Sequence, residues 1–418
     1  MNTWIKGLRH GLPREQLVLS LILLVYVVIS SLYALLTPPW QVPDEPAHYN
    51  YIRQLTVGRL PIIEPGDYDH NYQEMLVSER FPPQYSLSGI QYEDHQPPLY
   101  YLLATPIFLL FDGALLPLRL FSSLLGAGVI VLTYLVGRRI YPGRPLVTLT
   151  AVALVAFIPQ HIAMMAGVNN DSLAELLLAA ALLGAATMLT AEDAAKPWLL
   201  GLVLGAVFWT KSTAYVAAPV LGAALLFRWH HRKEPIGSLA RQLAVLFGPA
   251  LLLGAIWWGR NLATYGGMDW MAIGRHDEVV FGQPTTAGWI AANGLTATAG
   301  RFVRDTFRSF WGMFGWMSVA MDTRIYQGLV ILTGVTGLGF CLAAVGQRRK
   351  ESEQRAVGRF ASRHVPTLLA MSAVLTIGGY LWWNLSFVQH QGRYLFPALI
   401  PLGLAAGVGW EKLTQART

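Results

Sequence analysis

The sequence predicts an all-α polytopic membrane protein with about 10–11 spans and a large first extracytoplasmic loop. Three observations carry that prediction. The 418-residue chain is 54% hydrophobic and only 13% charged, where a soluble domain averages about 25% charged. Apolar stretches near the ~20 residues that cross a bilayer recur along it. The basic residues, which give a formal net charge of +7, lie between those stretches rather than on a folded soluble part. They therefore report topology, and no nucleic-acid partner is expected.

The elements follow in order. Leu17–Leu36 is too long for a signal-peptide core and lacks a small-residue cleavage site, so it reads as a retained helix. Lys6, Arg9 and Arg14 before it place the N-terminus in the cytoplasm. Pro38–Leu115 carries ten acids against Arg53, Arg59 and Arg80, which fits an external position. Pro97–Phe111 opens on two prolines and is only about 15 residues long. Runs of that size are more often interfacial or re-entrant than spanning, so it is expected not to cross fully. With that choice, Arg138, Arg139 and Arg144, the clusters from Arg228 and Gln347, and Lys412 and Arg417 all fall inside.

The expected crossings are then 17–37, 116–137, 146–166, 172–190, 197–210, 213–228, 241–259, 325–346, 366–385 and 394–410, with both termini cytoplasmic. The chain 1–418 reads as one transmembrane domain. Its two large external loops are 38–96 and 261–324, and "SFWGMFGWM" in the second is expected along the interface. "AHYNYIRQL" has the spacing of a short surface helix with Tyr49, Ile52 and Leu55 as its apolar edge. The single cysteine, Cys341, excludes an intramolecular disulfide and a CxxC metal site.

This threading brings polar residues together on the outer face. Asp44 and Glu45 follow the first span, flanked by Pro43 and Pro46, which restrict the backbone. His48 follows in the same stretch. His95 and Gln96 precede the short apolar run. Asn169, Asn170 and Asp171 open a span, and Lys211 lies between two short ones. Arg260 ends another, and His390, Arg393 and Tyr394 form the last outer turn. Each has a plain explanation. An acid at a helix start caps it or meets its dipole. Lysine and arginine at helix ends snorkel to headgroups, and a lone histidine is more often hydrogen-bonded than catalytic. The combination of acids and cations on one face suits other chemistry. A carboxylate can serve as general base or as metal partner, and cations at the membrane edge can hold a phosphate. A phosphate at that depth implies a lipid phosphate.

The chain resembles the GT-C superfamily of integral-membrane glycosyltransferases, which includes protein O-mannosyltransferases and the lipid A aminoarabinose transferase. It is also similar to an uncharacterised bacterial membrane-protein family with a "PDEPAH" motif. The resemblance rests on the order of "PDEPAHY", "HQPPLYYLL", "NNDSLAELL", "FWTK", the Arg260–Asn261 and Tyr265–Gly266 element, and Gly392–Leu395 with Pro397. It covers most of the chain and implies a GT-C-like transmembrane helix bundle in a bacterial cell membrane. It implies transfer of a sugar, hexosyl or pentosyl, with inversion, from a polyprenyl-phosphate donor to an acceptor hydroxyl at the extracytoplasmic face. Asp44 matches the catalytic base, Glu45 its neighbour, and Asp171 the acid that positions acceptor or metal. Lys211, Arg260 and Arg393 match the phosphate contacts.

Relatives often carry lysine or histidine directly before the Pro-Pro pair. Here that position is Gln96, with His95 one step back. His48, His95, Gln96, Asn170, His390 and Tyr394 complete the expected substrate and lipid-phosphate contacts. A divalent cation, Mg or Mn, between Asp44 and Asp171 is an open expectation, since hard cations need several oxygen ligands. The acceptor is a glycan, lipid or protein. The rival reading is a transporter or flippase for a lipid-linked sugar. Such proteins place charged sites near the midplane on broken helices, and the spans here show no acid at mid-depth.

Overall fold

The computed structural model describes residues 14–190, 196–347 and 356–415. Lys6, Arg9, Arg417 and most of the cluster after Gln347 lie outside the described residues. Helix α1 (Arg14–Leu36) is followed by α2 (Glu45–Thr56), α3 (His70–Ser78) and α4 (Leu99–Leu110). Next come α5 (Leu115–Ile140), α6 (Pro145–Phe157), α7 (Pro159–Met165), α8 (Asp171–Thr190) and α9 (Pro197–Phe208). A 3-10 turn, Ser212–Val216, leads into α10 (Ala217–Arg232) and α11 (Ile236–Tyr265). Beyond these lie α12 (Ile273–Val279), α13 (Thr286–Asn293), α14 (Leu295–Trp311), α15 (Thr323–Gln347) and α16 (Ala356–Ser386). The 3-10 segment Gly392–Ala398 runs into α17 (Leu399–Gln415).

Seven helical segments among the described residues are long and apolar enough to cross a membrane. The pair α6 and α7 makes an eighth if it counts as one span, although it bends by 62°. Pro159 causes the bend, because the residue before a proline is pushed out of the helical region; Ile158 sits at φ −67, ψ 116. The protein is therefore a multi-pass helical membrane protein. The ten crossings expected from sequence are not ten full-length helices. Helix α9 has 12 residues, about 18 Å at 1.5 Å each, and α10 is a 16-residue helix entered through the 3-10 turn. Even so, Gly184 of α8 lies against Leu200 of α9, while Lys211 beyond α9 meets Asp171 at the start of α8. Helix α9 thus carries the chain back along most of the length of α8.

The two ends of the bundle differ. Arg138 pairs with Glu15 at 2.6 Å and Arg144 with Glu411 at 2.5 Å, which gathers the start of α1, the α5–α6 turn and the end of α17. The opposite end carries the loops. Helix α4 stays there. Its first residue donates from its backbone to Trp209 O at 2.8 Å, and just past its end Gly113 O accepts from the Tyr49 hydroxyl at 2.8 Å. Small residues let the spans approach closely: Gly407 of α17 lies on the Val147 backbone of α6, and Gly409 on Gly339 of α15.

Loops 38–96 and 261–324 form one lobe. Ile63, Tyr68, Leu76, Phe81 and Tyr92 from the first pack with Val279 and Val280 from the second. One expectation changes here. The helix after Pro46 forms, but Tyr51 and Ile52 are fully buried, and the Tyr51 ring stacks on Tyr101 of α4 at 3.7 Å. It is covered by protein and does not lie free on a membrane surface. The stretch "SFWGMFGWM" ends α14 and folds back as an antiparallel ribbon, β1 (Met313–Phe314) with β2 (Val319–Ala320). Trp316 Nε1 donates to Trp40 O at 2.9 Å, which ties that ribbon to the loop after α1.

Candidate active site

Asp44 holds the N-cap position of α2, but its carboxylate makes no capping bond. The residue sits in the left-handed region at φ 67, ψ −6. A non-glycine residue there costs on the order of 1–3 kcal/mol and persists where surroundings impose it. The carboxylate is committed across the molecule. The Tyr92 hydroxyl donates to Oδ1 at 2.8 Å, and Arg393 Nη2 donates to Oδ2 at 2.6 Å. Burial alone would raise the Asp44 carboxyl. The charges of Arg393 and His48 and the Tyr92 hydrogen bond outweigh it and hold the group below the usual carboxylate value.

The second pair is Asp171 with Lys211, Nζ to Oδ1 at 2.8 Å. Asp171 does not cap α8 either; its N–H donates to Asn169 Oδ1 at 3.0 Å. Arg393 lies close enough for its charge to act on Asp171, and His48 is felt by both acids. The two pairs form one cluster. Lys211 would lose its proton more easily on burial, yet Asp171 and Glu93 lift it above its ordinary value. Several buried polar atoms in this cluster have no partner among the described residues: Arg393 Nε, Asn170 Oδ1 and Glu93 Oε2. Buried polar groups are rarely left unpaired, which marks these atoms as candidate contacts for water or a ligand.

The other expected site residues separate into groups. Tyr394 joins the cluster, its hydroxyl 3.5 Å from Arg393 Nη2. His48 lies behind it, its Nδ1 sharing a 2.8 Å hydrogen bond with the Tyr101 hydroxyl. Burial drives its pKa down against the pull of Glu93, which favours the neutral ring. His95 stacks near His276, ring centres 4.3 Å apart, and burial, with His276 beside it, takes it well below the ordinary histidine value. Gln96 and Asn170 bridge the HQPP turn to α8, Asn170 Nδ2 to Gln96 Oε1 at 3.3 Å.

Three expected residues stand apart. Glu45 is fully buried and turned away, with both oxygens on Arg119 at 2.8 and 2.6 Å. The backbones of Trp40 and Val168 donate to it as well, at 3.1 and 3.2 Å. Arg260 lies over Trp257, with its guanidinium on Pro61 O, Asn261 and Tyr265. His390 edges the Phe302 ring beside α14. The metal expectation does not fit this donor set. Asp44 and Asp171 are each neutralised by a cation, and among the described residues no group of three or more His, Cys, Asp or Glu is gathered.

Sequence reasoning passed over Arg119, Tyr92 and Glu93. Arg119 had a visible signal, a lone arginine inside the apolar run Leu116–Val136. It also passed over the buried pair of His161 with Glu175, 3.0 Å apart and one helical turn into α8 from Asp171.

Comparison with known proteins agrees with this architecture. Residues 95–258, less than half of the chain, match the family described as dolichyl-phosphate-mannose-protein mannosyltransferase. Among solved structures, the ArnT of Cupriavidus metallidurans bound to undecaprenyl phosphate is 14% identical with a TM-score of 0.50, over 93% of this chain and 60% of that one. The chain has a GT-C-like fold. The archaeal oligosaccharyltransferase AglB of Archaeoglobus fulgidus, in complex with an inhibitory peptide and a dolichol-phosphate, is 13% identical with a TM-score of 0.48, over 96% of this chain and 51% of that one. This GT-C-like chain thus spans about half the length of that AglB and three fifths of that ArnT. No curated protein sequence matches it.

Proposed function

We propose that the protein is an inverting glycosyltransferase of a bacterial cell membrane. It moves a sugar from a polyprenyl-phosphate donor to an acceptor hydroxyl at the extracytoplasmic face. The observation that carries this reading is the convergence of Asp44–Arg393 and Asp171–Lys211 in one half-buried cluster at the loop-rich end. The ArnT bound to undecaprenyl phosphate shares the fold, which supports a lipid-phosphate ligand.

The donor phosphate sits against Lys211 and the free Nε of Arg393, charge-assisted contacts that favour an anion. Drawing Arg393 toward the phosphate weakens its hold on Asp44, and the carboxylate becomes more basic as the donor binds. Asp44 then takes the proton of the acceptor hydroxyl. The acceptor oxygen forms its bond to the anomeric carbon from the face opposite the phosphate. The carbon–oxygen bond to phosphate breaks, and the electron pair leaves with the polyprenyl phosphate, held by the two cations. Glu45 stays outside the reaction as an anchor of Arg119.

Asp44→Asn tests this. In proteoliposomes given a panel of radiolabelled undecaprenyl-phosphate sugars, transfer falls by about 10²–10⁴, while undecaprenyl phosphate still binds. Full transfer in that variant removes Asp44 as the base.

A further inference from the structure

An apolar cavity of about 620 Å³ lies beside the loop after α1 and is lined as far as Pro43, within the range of roughly 300–1,000 Å³ typical of ligand pockets. Its wall includes Leu32 and Leu36 of α1, Ala163 of α7 and Phe314 of the ribbon. Pro43, the residue before Asp44, belongs to the same wall. Leu32 and Leu36 are 47% and 70% exposed. The cavity is therefore open along the face of a spanning helix, where the bilayer supplies lipid.

Tyr33, Thr37, Gln41, Arg80 and Gln160 interrupt the apolar wall, and two of them bear on a headgroup. Arg80 is exposed, and its guanidinium has no hydrogen bond or ion pair among the described residues. Gln41 Nε2 is buried without a partner. An apolar trough with one free cation and one unpaired amide donor recognises an apolar chain with an anionic headgroup. No wall residue comes from 209–216 or 387–398, the segments that bear Lys211 and Arg393. The cavity and the cations Lys211 and Arg393 therefore lie on different elements.

We propose that this cavity holds the chain of the acceptor, an anionic bilayer lipid that brings its own hydroxyl to Asp44. The proposal rests on the transferase reading above and names its acceptor class. The lipid headgroup lies between Arg80 and Asp44, and the chain runs down between α1 and α7 under the ribbon.

The test uses the full chain in nanodiscs containing a trace of phosphatidylglycerol with a photoactivatable diazirine tail. Labelling of the peptides carrying Ala163 and Phe314 is compared with that of exposed Ile331 and Leu338 on α15, which meet bulk lipid. Ala163→Trp and, independently, Leu32→Trp lower cavity labelling at least five-fold relative to α15 while retaining undecaprenyl phosphate binding. Arg80→Gln lowers it at least three-fold for phosphatidylglycerol and leaves a phosphatidylcholine probe unchanged. With donor supplied, radiolabelled sugar appears on a lipid other than the donor. Cavity labelling no higher than on α15, displacement of the label by excess undecaprenyl phosphate, or a water-soluble product each overturns the proposal. Photolabelling needs no turnover. Intact cavity labelling with no transfer by the wild type would undo the transferase reading and the acceptor role with it, leaving a lipid site only, whereas transfer without cavity labelling would undo this proposal alone.

Discussion

At the scale of single residues, burial acts on two nearby carboxyls with opposite results. Asp44 has Arg393 and Tyr92 on its oxygens and stays below the ordinary value. Asp94 is fully buried, and its Oδ1 has no partner among the described residues. Burial pushes it up to about 8, with Gln54 pulling down and Asp67 pushing up. A carboxyl raised in the folded state binds more protons there than when unfolded, so its contribution to stability falls as pH rises from about 4 to about 8 and is constant above. Asp94→Asn keeps the Gln54 neighbourhood without a buried charge. The variant should gain melting temperature over the wild type across that window, on the order of 1.4 kcal/mol per pH unit at most. Matched thermal melts at pH 5, 7 and 9 check it, and a gap that stays constant removes Asp94 as the cause. Asp44 follows the other sign: its pair with Arg393 is intact above the usual carboxylate range and is lost as pH falls through the lowered value.

At the scale of elements, the Glu45–Arg119 bridge determines where Asp44 points. Arg119 of α5 also donates to Ala34 O and Thr37 O at 3.0 and 2.6 Å, and Glu45 accepts from Val168 N–H. One buried pair thereby joins the end of α1, the start of α2, the middle loop before α8 and α5. Breaking one side of such a pair leaves an uncompensated charge and costs about 3–5 kcal/mol. Arg119→Met therefore strands Glu45 and should lower the melting temperature sharply, whereas the double variant Arg119→Met with Glu45→Gln recovers part of the loss. A double-mutant cycle on detergent-solubilised protein measures the coupling, and additivity would show that the two do not act together. The apolar runs made the long helices legible, because a bilayer demands their length. The adjacency of two acids at 44 and 45 was legible too, but not their division of labour. That depended on Arg119, 74 residues away, whose partner no local pattern reveals. Arg260 shows the same limit. At a helix end it reads like Lys211, and only the folded lobe turns it onto Pro61 and Tyr265.

At the scale of the whole molecule, charge counting and geometry address the same question by separate routes. Basic clusters predict sides, and ion pairs gather Glu15, Arg138, Arg144 and Glu411 at one end while the lobe of loops 38–96 and 261–324 occupies the other. The count of crossings was less legible, because α9 does with 12 residues and a following turn what a hydropathy window expects of about 20. Its end leaves Lys211 beside Asp171 at the start of α8. Sidedness can be read directly after Cys341→Ser removes the one native thiol. Gly89 lies in the loop-rich lobe and Gly237 at the start of α11, and a side chain added at either meets nothing within 4 Å. Gly89→Cys should react with a membrane-impermeant maleimide in intact bacterial cells, and Gly237→Cys only after permeabilisation. The reverse pattern would put Asp44 and Lys211 on the cytoplasmic side, where a donor presented from the outer leaflet never reaches them.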